Sequence, residues 1–407
     1  MNKQDLQHMR DTLTLRAWRK KFSILLNRGR YAQLAHDVDA RFQNAVYIFQ
    51  RSFFDRKGQE CINGGAERYC LDLAEIIAEQ GLCPVLVQMG HKSGLWQNTL
   101  GKLHVVGLPV RSVAEYNAVI EHLRNFVFVI YSVHFDMGRK LHPNILISHG
   151  IVWDNPERDA DSKAILKNFV DADTFVSVDT NTISWLRSTF ARSLYECSMH
   201  YIPNYVDRDI FKPAERAHDG TIRIVFPRRC SAERGYWLLS ACLPDILRTY
   251  DTVRLDFVGY IHSDDVAADL AKHLADFPDR VRHYQCPPEN MPAVYQRADI
   301  TLIPTLYSEG TSLSCLEAQA CGNAVIATNI GGLPNLIIDG FNGLLVSPNS
   351  QELFSAICKL IDNPALAENM KKEACRVSGA FDKRIWTERW RQIVSGVLKQ
   401  YEGTLNE

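Results

Sequence analysis

Short apolar runs alternate with helical patterns along most of this chain, and this alternation limits its possible folds more than any other feature. The runs lie at 45–50, 85–89, 127–132, 144–149, 175–178, 222–227, 253–259, 300–304 and 324–328. Most are apolar throughout, which is typical of strands that are buried on both faces. Repeated strand–helix units predict parallel sheets joined by crossover helices.

The pattern restarts after a polar segment, residues 202–220, which contains two prolines and ends in glycine. With 407 residues, the chain is long enough for two or three domains. We therefore predict an α/β fold of two doubly wound, Rossmann-like domains that face each other across a cleft. The predicted bounds are a helical extension at 1–44, domains at 45–208 and 209–385, and a final helix at 386–407.

Composition excludes several classes of protein. Net charge is −1, which argues against nucleic acid as a partner. The 11 cysteines are scattered without a CxxC pair, which argues against a disulfide framework or zinc site and favours a reducing compartment. Because no apolar run approaches the roughly 20 residues of a membrane span and the N-terminus is polar, a cytoplasmic location is expected.

One local charge bias stands out near the N-terminus. Seven Arg or Lys residues and one acid, Asp11, lie between positions 10 and 30. Apolar residues recur there at helical spacing: Leu15, Trp18, Phe22, Leu25 and Leu26. Such a basic amphipathic helix can lie on an anionic membrane surface, or it can pack on its own domain. The sequence leaves both interpretations open.

The stretch "EGTSLSCLE" places two carboxylates, Glu309 and Glu317, around a helix start. The run 300–304 precedes it, Ser312 is a good N-cap residue, and Gly322 ends the helix. Free N–H groups and the dipole at a helix start favour an anion such as phosphate. The stretch therefore offers donors for phosphate and acceptors for sugar hydroxyls. The same sequence would also arise if Glu309 were a solvated loop acid and Glu317 lay at the edge of the core.

Two other stretches carry candidate groups. Gly64 and Gly65 precede an amphipathic helix, where a glycine pair permits close approach by a phosphate or sugar or simply makes a turn. His149 ends an apolar strand, where it can donate a hydrogen bond to a ligand or serve a structural role. Residues 52–63 form a connection longer than usual, and we expect it to shape an acceptor site.

The stretch "YSEGTSLSCLEAQACGNAVIATNIGGLPNLIIDGFNGLLV" resembles the signature of family 4 glycosyltransferases, and the resemblance extends over about residues 45–400. This family has the GT-B fold, uses nucleotide sugars, retains the anomeric configuration and needs no metal. The resemblance implies that the final helix, 386–407, crosses back to the first domain. The resemblance implies that Glu309 contacts the transferred sugar and Glu317 the ribose hydroxyls. It also implies that the loop at Gly310, Thr311, Ser312 and Leu313 holds diphosphate or sugar.

Further matches assign roles to other residues. In "FPRRCSAERG" the family spacing maps the diphosphate-clamping pair to Arg229 and Arg234, although lysine is usual at the second position. The family has a histidine near the reacting sugar where His149 stands. Its first-domain glycine loop, here Gly64 and Gly65, meets the donor phosphates and the acceptor.

The resemblance predicts transfer of a hexose from a UDP- or GDP-sugar to a glycan, lipid-linked or small-molecule acceptor, in surface polysaccharide or glycoconjugate synthesis. No cofactor and no metal are expected, and Asp171 and Asp173 of the Asp-x-Asp pair are predicted to be structural. A 2-epimerase on the same fold and a decayed sugar-binding subunit remain alternatives. A dinucleotide-dependent oxidoreductase would need a G-x-G-x-x-G after a strand, which the sequence lacks.

Overall fold

The computed structural model describes residues 24–62, 64–132, 140–150, 169, 171–190, 197–215, 219–307 and 309–405. The chain divides into two compact units. The first unit takes 1–146, 171–174 and 391–407, and the second takes 147–170 and 175–390. The domain bounds proposed from the sequence stay predictions.

The first sheet has eight strands in the order β3-β4-β2-β1-β5-β6-β7-β8. The strands are β1 Ala45–Phe49, β2 Cys83–Met89, β3 Trp96–Leu100, β4 Leu103–Leu108, β5 Phe128–Tyr131, β6 Asn144–Ser148, β7 Thr174–Ser177 and β8 Ser198–Tyr201. The strands from β4 through β2, β1 and β5 to β6 pair in parallel, whereas β3 pairs with β4 antiparallel. The helices of this part of the chain are α1 Arg28–Asp39, α2 Gly65–Glu79, α3 Val113–Ile120 and α4 Thr180–Phe190.

The second sheet has six parallel strands in the order β11-β10-β9-β12-β13-β14. They are β9 Ile222–Phe226, β10 Val253–Val258, β11 Val281–Tyr284, β12 Ile300–Ile303, β13 Ala324–Thr328 and β14 Leu344–Val346. The helices are α5 Tyr236–Thr249, α6 Asp264–Asp276, α7 Met291–Arg297, α8 Leu313–Ala320, α9 Ser350–Asp362, α10 Pro364–Ser378 and α11 Lys383–Leu405.

Alternate residues of the second sheet enter two separate hydrophobic clusters. Ile224 and Phe226 of β9 belong to one cluster, while Val225 between them belongs to the other. This is the period of two expected of a strand with both faces covered. The uniformly apolar runs of the sequence therefore form buried strands because helices cover the sheet on both sides.

The strand order of the second sheet determines where a ligand can bind. Numbered within the sheet, the order is 3-2-1-4-5-6, so the chain reverses its direction of winding between β9 and β12. In open α/β sheets, ligands bind beyond the carboxyl ends of the strands at such a switch point. The loops that follow β9 and β12, residues 227–235 and 304–312, lie at this point.

The two-domain α/β class predicted from the sequence is confirmed, and each of the nine predicted runs contains a strand. Five strands were missed: β3, β4, β8, β11 and β14. The final helix, expected at 386–407, spans Lys383–Leu405 and so begins three residues earlier. Of the basic segment 10–30, residues up to 23 lie outside the described residues; in the rest, Leu25 and Leu26 are 66% and 72% exposed.

Within the described ranges, every helix is too short or too polar to cross a lipid bilayer.

The turn between β9 and α5 depends on a glycine. Gly235 has φ +80°, and a β-carbon there would lie 1.7 Å from the carbonyl oxygen of Pro304.

We expect Gly235→Ala to lower the free energy of unfolding by roughly 2 kcal/mol or more, measured by urea denaturation, because both the backbone conformation and the contact oppose a side chain. The control is Gly396→Ala in α11, where a β-carbon meets open space; a similar loss there would contradict the argument.

Candidate active site

Two loops meet at the switch point of the second sheet. The backbone N–H of Leu306 donates to the carbonyl of Glu233 at 2.9 Å, and Ser314 Oγ donates to the carbonyl of Pro227 at 3.3 Å. The first bond joins the β9 loop, residues 227–235, to the β12 loop, residues 304–312, and the second joins the β9 loop to the first turn of α8. Charged groups carried by the two loops are therefore brought within hydrogen-bond distance of one another.

Glu309 lies at the centre of this junction. It is only 6% exposed. Its carboxylate accepts hydrogen bonds from Arg228 Nη1 at 2.7 Å, Arg234 Nη1 at 3.0 Å and Thr305 Oγ1 at 2.8 Å. A buried carboxylate needs such partners, since an isolated charge is costly to remove from water.

The two arginines determine the ionisation of this carboxylate. Burial by itself would raise the pKa of Glu309, but the charges of Arg228 and Arg234 outweigh burial and hold that pKa below its ordinary value. The pKa of Arg234 is lowered by burial and by repulsion from Arg228, against the attraction of Glu309. At neutral pH the site therefore contains an ionised acid between two cations.

The backbone around Glu309 is closely packed. Gly332 N donates to the carbonyl of Glu309 at 3.1 Å, and a β-carbon at Gly331 would lie 2.1 Å from that same oxygen. A β-carbon at Gly310 would lie 2.6 Å from the carbonyl oxygen of His149. His149 follows β6 and is half-buried, so the structure places its backbone directly beside the Glu309 loop.

Helix α8 begins next to this carboxylate. Asn204 Nδ2 donates to the carbonyl of Thr311 at 2.8 Å, which ties the loop to the segment after β8. Ser312 precedes Leu313, the first residue of the helix, as predicted, and is 2% exposed. Among the described residues, Ser312 Oγ makes no hydrogen bond. A buried hydroxyl and the unpaired N–H groups of a helix start thus lie together.

Glu317 occupies a different environment on the same helix. It is 6% exposed and accepts a hydrogen bond from the hydroxyl of Tyr295 at 3.0 Å. Burial and the nearby carboxylate raise the pKa of Tyr295. The second acid of the motif is therefore held by a phenol of α7, whereas the first is held by guanidinium groups.

The arginines do not all converge on Glu309. Arg229 lies 3.8 Å from Glu233 and places its guanidinium 5.4 Å from the ring centre of Tyr260. Arg228, which the sequence analysis did not select, makes the contact with Glu309 instead. Of the two adjacent arginines, only Arg228 is seen in contact with the carboxylate of Glu309, while Arg229 is directed to Glu233. The two adjacent arginines in "FPRRC" were the sequence feature that could have identified Arg228 as a candidate.

The remaining predicted residues lie elsewhere. Gly64 and Gly65 belong to the first unit, where Gly64 is the N-cap residue of α2. Asp171 and Asp173 both contact His142, at 3.4 and 2.8 Å. In the part of the chain that the structure describes, no three His, Cys, Asp or Glu side chains are grouped as a metal site requires.

The depressed pKa of Glu309 makes its contribution to stability depend on pH. Because this pKa is lower in the folded chain than its ordinary value of 4.5, the ionised carboxylate stabilises the native state above that value and less as pH falls through the folded pKa. We expect Glu309→Gln to lower the unfolding free energy by about 3 kcal/mol at pH 7, since both arginines lose their counter-charge. Urea denaturation between pH 3 and 8 measures the difference, which should shrink below about pH 4.

The control for this prediction is Glu289→Gln, which changes an exposed acid of the same unit. Its stability should follow the parent chain at every pH. A Glu309→Gln difference that stayed constant down to the lowest pH would contradict the ionised state assigned to Glu309.

Comparison with known proteins agrees with the sequence resemblance. Residues 207–377 match the family model described as glycosyl transferases group 1. A D-inositol 3-phosphate glycosyltransferase of Segniliparus rotundus is 28% identical over 217 residues, which is 50% of this chain and 46% of the relative. The chain thus spans about half the length of this curated relative.

Solved structures match over more of the chain. Sucrose-phosphate synthase from Thermosynechococcus elongatus superposes with a TM-score of 0.72 at 17% identity, covering 88% of this chain and 100% of that chain. Anabaena HepE in complex with UDP gives 0.63 at 16% identity, covering 89% and 100%. At these identities the likeness shows the fold alone, two parallel-sheet α/β domains of the GT-B type. The match to the group 1 glycosyl transferase model lies within the unit that carries Glu309 and Glu317.

Proposed function

We propose that this protein is a retaining, metal-independent glycosyltransferase. It moves a hexose from a nucleoside diphosphate sugar, with UDP or GDP as the nucleotide, to a hydroxyl of a glycan, lipid-linked or small-molecule acceptor. The proposed setting is the synthesis of surface polysaccharide or glycoconjugate on the cytoplasmic side of a membrane. No cofactor takes part beyond the nucleotide sugar itself.

The arrangement at the switch point carries this proposal. An ionised Glu309, the buried hydroxyl of Ser312 and the start of α8 lie together beyond the carboxyl ends of β9 and β12. Helix starts and arginines bind phosphate, and a carboxylate oxygen accepts sugar hydroxyls. These are the chemical groups that a nucleotide sugar presents at its reacting end.

The local charge favours a diphosphate. Arg228, Arg229 and Arg234 face two carboxylates, those of Glu309 and Glu233. One positive charge is therefore in excess before a ligand binds. As the bond between the anomeric carbon and the diphosphate breaks, negative charge grows on the leaving group, and preorganised cations and helix-start amides stabilise it.

The reaction itself needs few groups from the protein. The acceptor oxygen bonds to the anomeric carbon on the face that the diphosphate leaves, and a leaving phosphate oxygen takes the acceptor proton. Glu309 positions the sugar through its hydroxyls, and His149 donates a hydrogen bond near the reacting carbon. Glu317 binds the ribose.

The donor can be identified by ligand-induced stabilisation. We expect UDP or GDP, and one of their sugars, to raise the melting temperature of the full chain, because a ligand that binds only the folded state stabilises it by mass action. A thermal-shift screen with UDP, GDP, ADP and their sugars measures this. Stabilisation by none of these nucleotides, or by ADP and its sugars alone, would contradict the proposal.

Removal of the positioning carboxylate tests the site. We expect Glu309→Ala to lower transfer from the identified donor by at least about 100-fold while the chain stays folded, as judged by circular dichroism, because the sugar loses its orienting contact. Nucleotide release measured against acceptor concentration provides the rate. Glu289→Ala is the matched control and should transfer at the parent rate; normal turnover by Glu309→Ala would show that the site is wrongly placed.

We also propose a peripheral membrane contact through the basic N-terminal segment, residues 10–30. Leu25 and Leu26 are exposed beside Arg28, which opens α1. We expect the full chain to co-sediment with vesicles that contain anionic phospholipid, and Leu25→Asn with Leu26→Asn to weaken this about tenfold, since two apolar side chains no longer enter the interface. Ile338→Asn, at a residue 62% exposed in the second unit, is the control. Equal binding by the parent and the double variant would exclude this contact.

A further inference from the structure

The two oxygens of Glu309 are used unequally. All three donors to this carboxylate, from Arg228, Arg234 and Thr305, contact Oε2. Among the described residues, no hydrogen bond reaches Oε1. A carboxylate can accept about four hydrogen bonds, so Glu309 can still accept hydrogen bonds from a ligand, and Oε1 is the oxygen placed to do so. Residues that hold Oε2 therefore determine which oxygen is left for a ligand.

Arg228 makes the most extensive of these contacts. Its Nη1 donates to Glu309 Oε2 at 2.7 Å and also to Thr305 Oγ1 at 2.6 Å, while Thr305 Oγ1 donates to the same Oε2 at 2.8 Å. Thr328 Oγ1 in turn donates to the carbonyl of Thr305 at 2.5 Å. The guanidinium, the hydroxyl and the carboxylate form a closed triangle, which leaves Glu309 little rotational freedom.

Arg228 is also the more deeply placed of the two arginines. Its side chain is 10% exposed, against 18% for Arg234. The backbone of Arg228 packs closely against Gly259: a β-carbon on Gly259 would lie 2.4 Å from the carbonyl oxygen of Arg228. This packing holds the base of the side chain, as a residue that orients another residue requires.

We propose that Arg228 is a positioning residue for glycosyl transfer: it binds Oε2 of Glu309, so that Oε1 accepts a hydroxyl of the donor sugar. This inference rests on the proposed function. Arg228 acts through Glu309, whereas Arg229 and Arg234 are assigned to the diphosphate. It therefore affects the orientation of the sugar more than the binding of the nucleotide.

A kinetic double-mutant cycle tests whether Arg228 acts through Glu309. We expect Arg228→Gln to lower kcat at least about 30-fold with the donor KM changed less than about threefold, and Arg228→Lys to recover part of the rate because one ammonium can still donate to Oε2. In a Glu309→Gln background, Arg228→Gln should add almost no further loss. Arg282→Gln, an exposed arginine of β11, is the control and should leave both constants unchanged.

Two kinetic outcomes would overturn the inference. Losses that multiply in the double variant would mean that Arg228 acts independently of Glu309. A donor KM that rises steeply while kcat is kept would mean that Arg228 binds the diphosphate directly.

The pH profile adds a readout that a merely structural role would not change. Arg228 and Arg234 from the β9 loop are the charged groups that face Glu309, and the buried Cys315 thiol of α8, whose pKa is raised by burial, is its other titratable neighbour. Removing Arg228 raises the pKa of Glu309, so the acid limb of the kcat profile should move to higher pH in Arg228→Gln. An unchanged acid limb would contradict the proposal.

A stability cycle keeps the inference separate from the proposed function. Unfolding of Arg228→Gln, Glu309→Gln and the double variant at pH 7 measures their coupling without any substrate. We expect the double variant to lose less stability than the two single changes together, because neither partner is then left buried alone. If no donor supports transfer, the proposed function fails while this coupling can still be observed. Additive losses would overturn the pair itself.

Discussion

A carboxylate buried between two guanidinium groups is the interaction on which the binding edge of the second unit depends. Glu309 comes from the loop after β12, and Arg228 and Arg234 come from the loop after β9. If one loop moved away, the carboxylate or the guanidinium groups of the other loop would remain buried without a counter-charge, which costs several kcal/mol. The two loops therefore stabilise each other's conformation, and the site exists only when both are in place.

This interaction is possible because of the sheet topology. Parallel strands bring all their carboxyl ends to one edge, and in open α/β sheets ligands bind at that edge where the strand order reverses, here between β9 and β12. Glycines then permit the loops to approach closely: Gly235 packs against Pro304, and Gly331 against Glu309. The same edge receives the start of α8, so the N–H groups of a helix start and the Glu309 carboxylate come from neighbouring residues.

The sequence predicted the elements whose signals are local. Runs such as 324–328 are apolar because both faces of the strand are covered, and Ser312 precedes a helix because its residue type suits that position. Two of the missed strands, β3 and β11, lack this signal. In β3, Trp96–Leu100, half-exposed and exposed residues form an antiparallel edge, and β11, Val281–Tyr284, buries only Val281. Such strands form because a neighbour offers hydrogen bonds, and that information is not local.

The sequence by itself determined the α/β class, the strand–helix order of each half and the place of Glu309 and Glu317 around a helix start, because these follow from the spacing of apolar residues and from helix-capping chemistry. Only the tertiary structure decided which arginine meets Glu309, and that both arginines and Thr305 bind the same oxygen. The choice between Arg228 and Arg229 depends on the direction in which each side chain leaves the loop after β9. That direction follows from the packing of this loop against Gly259 and Pro304, which are distant in the sequence.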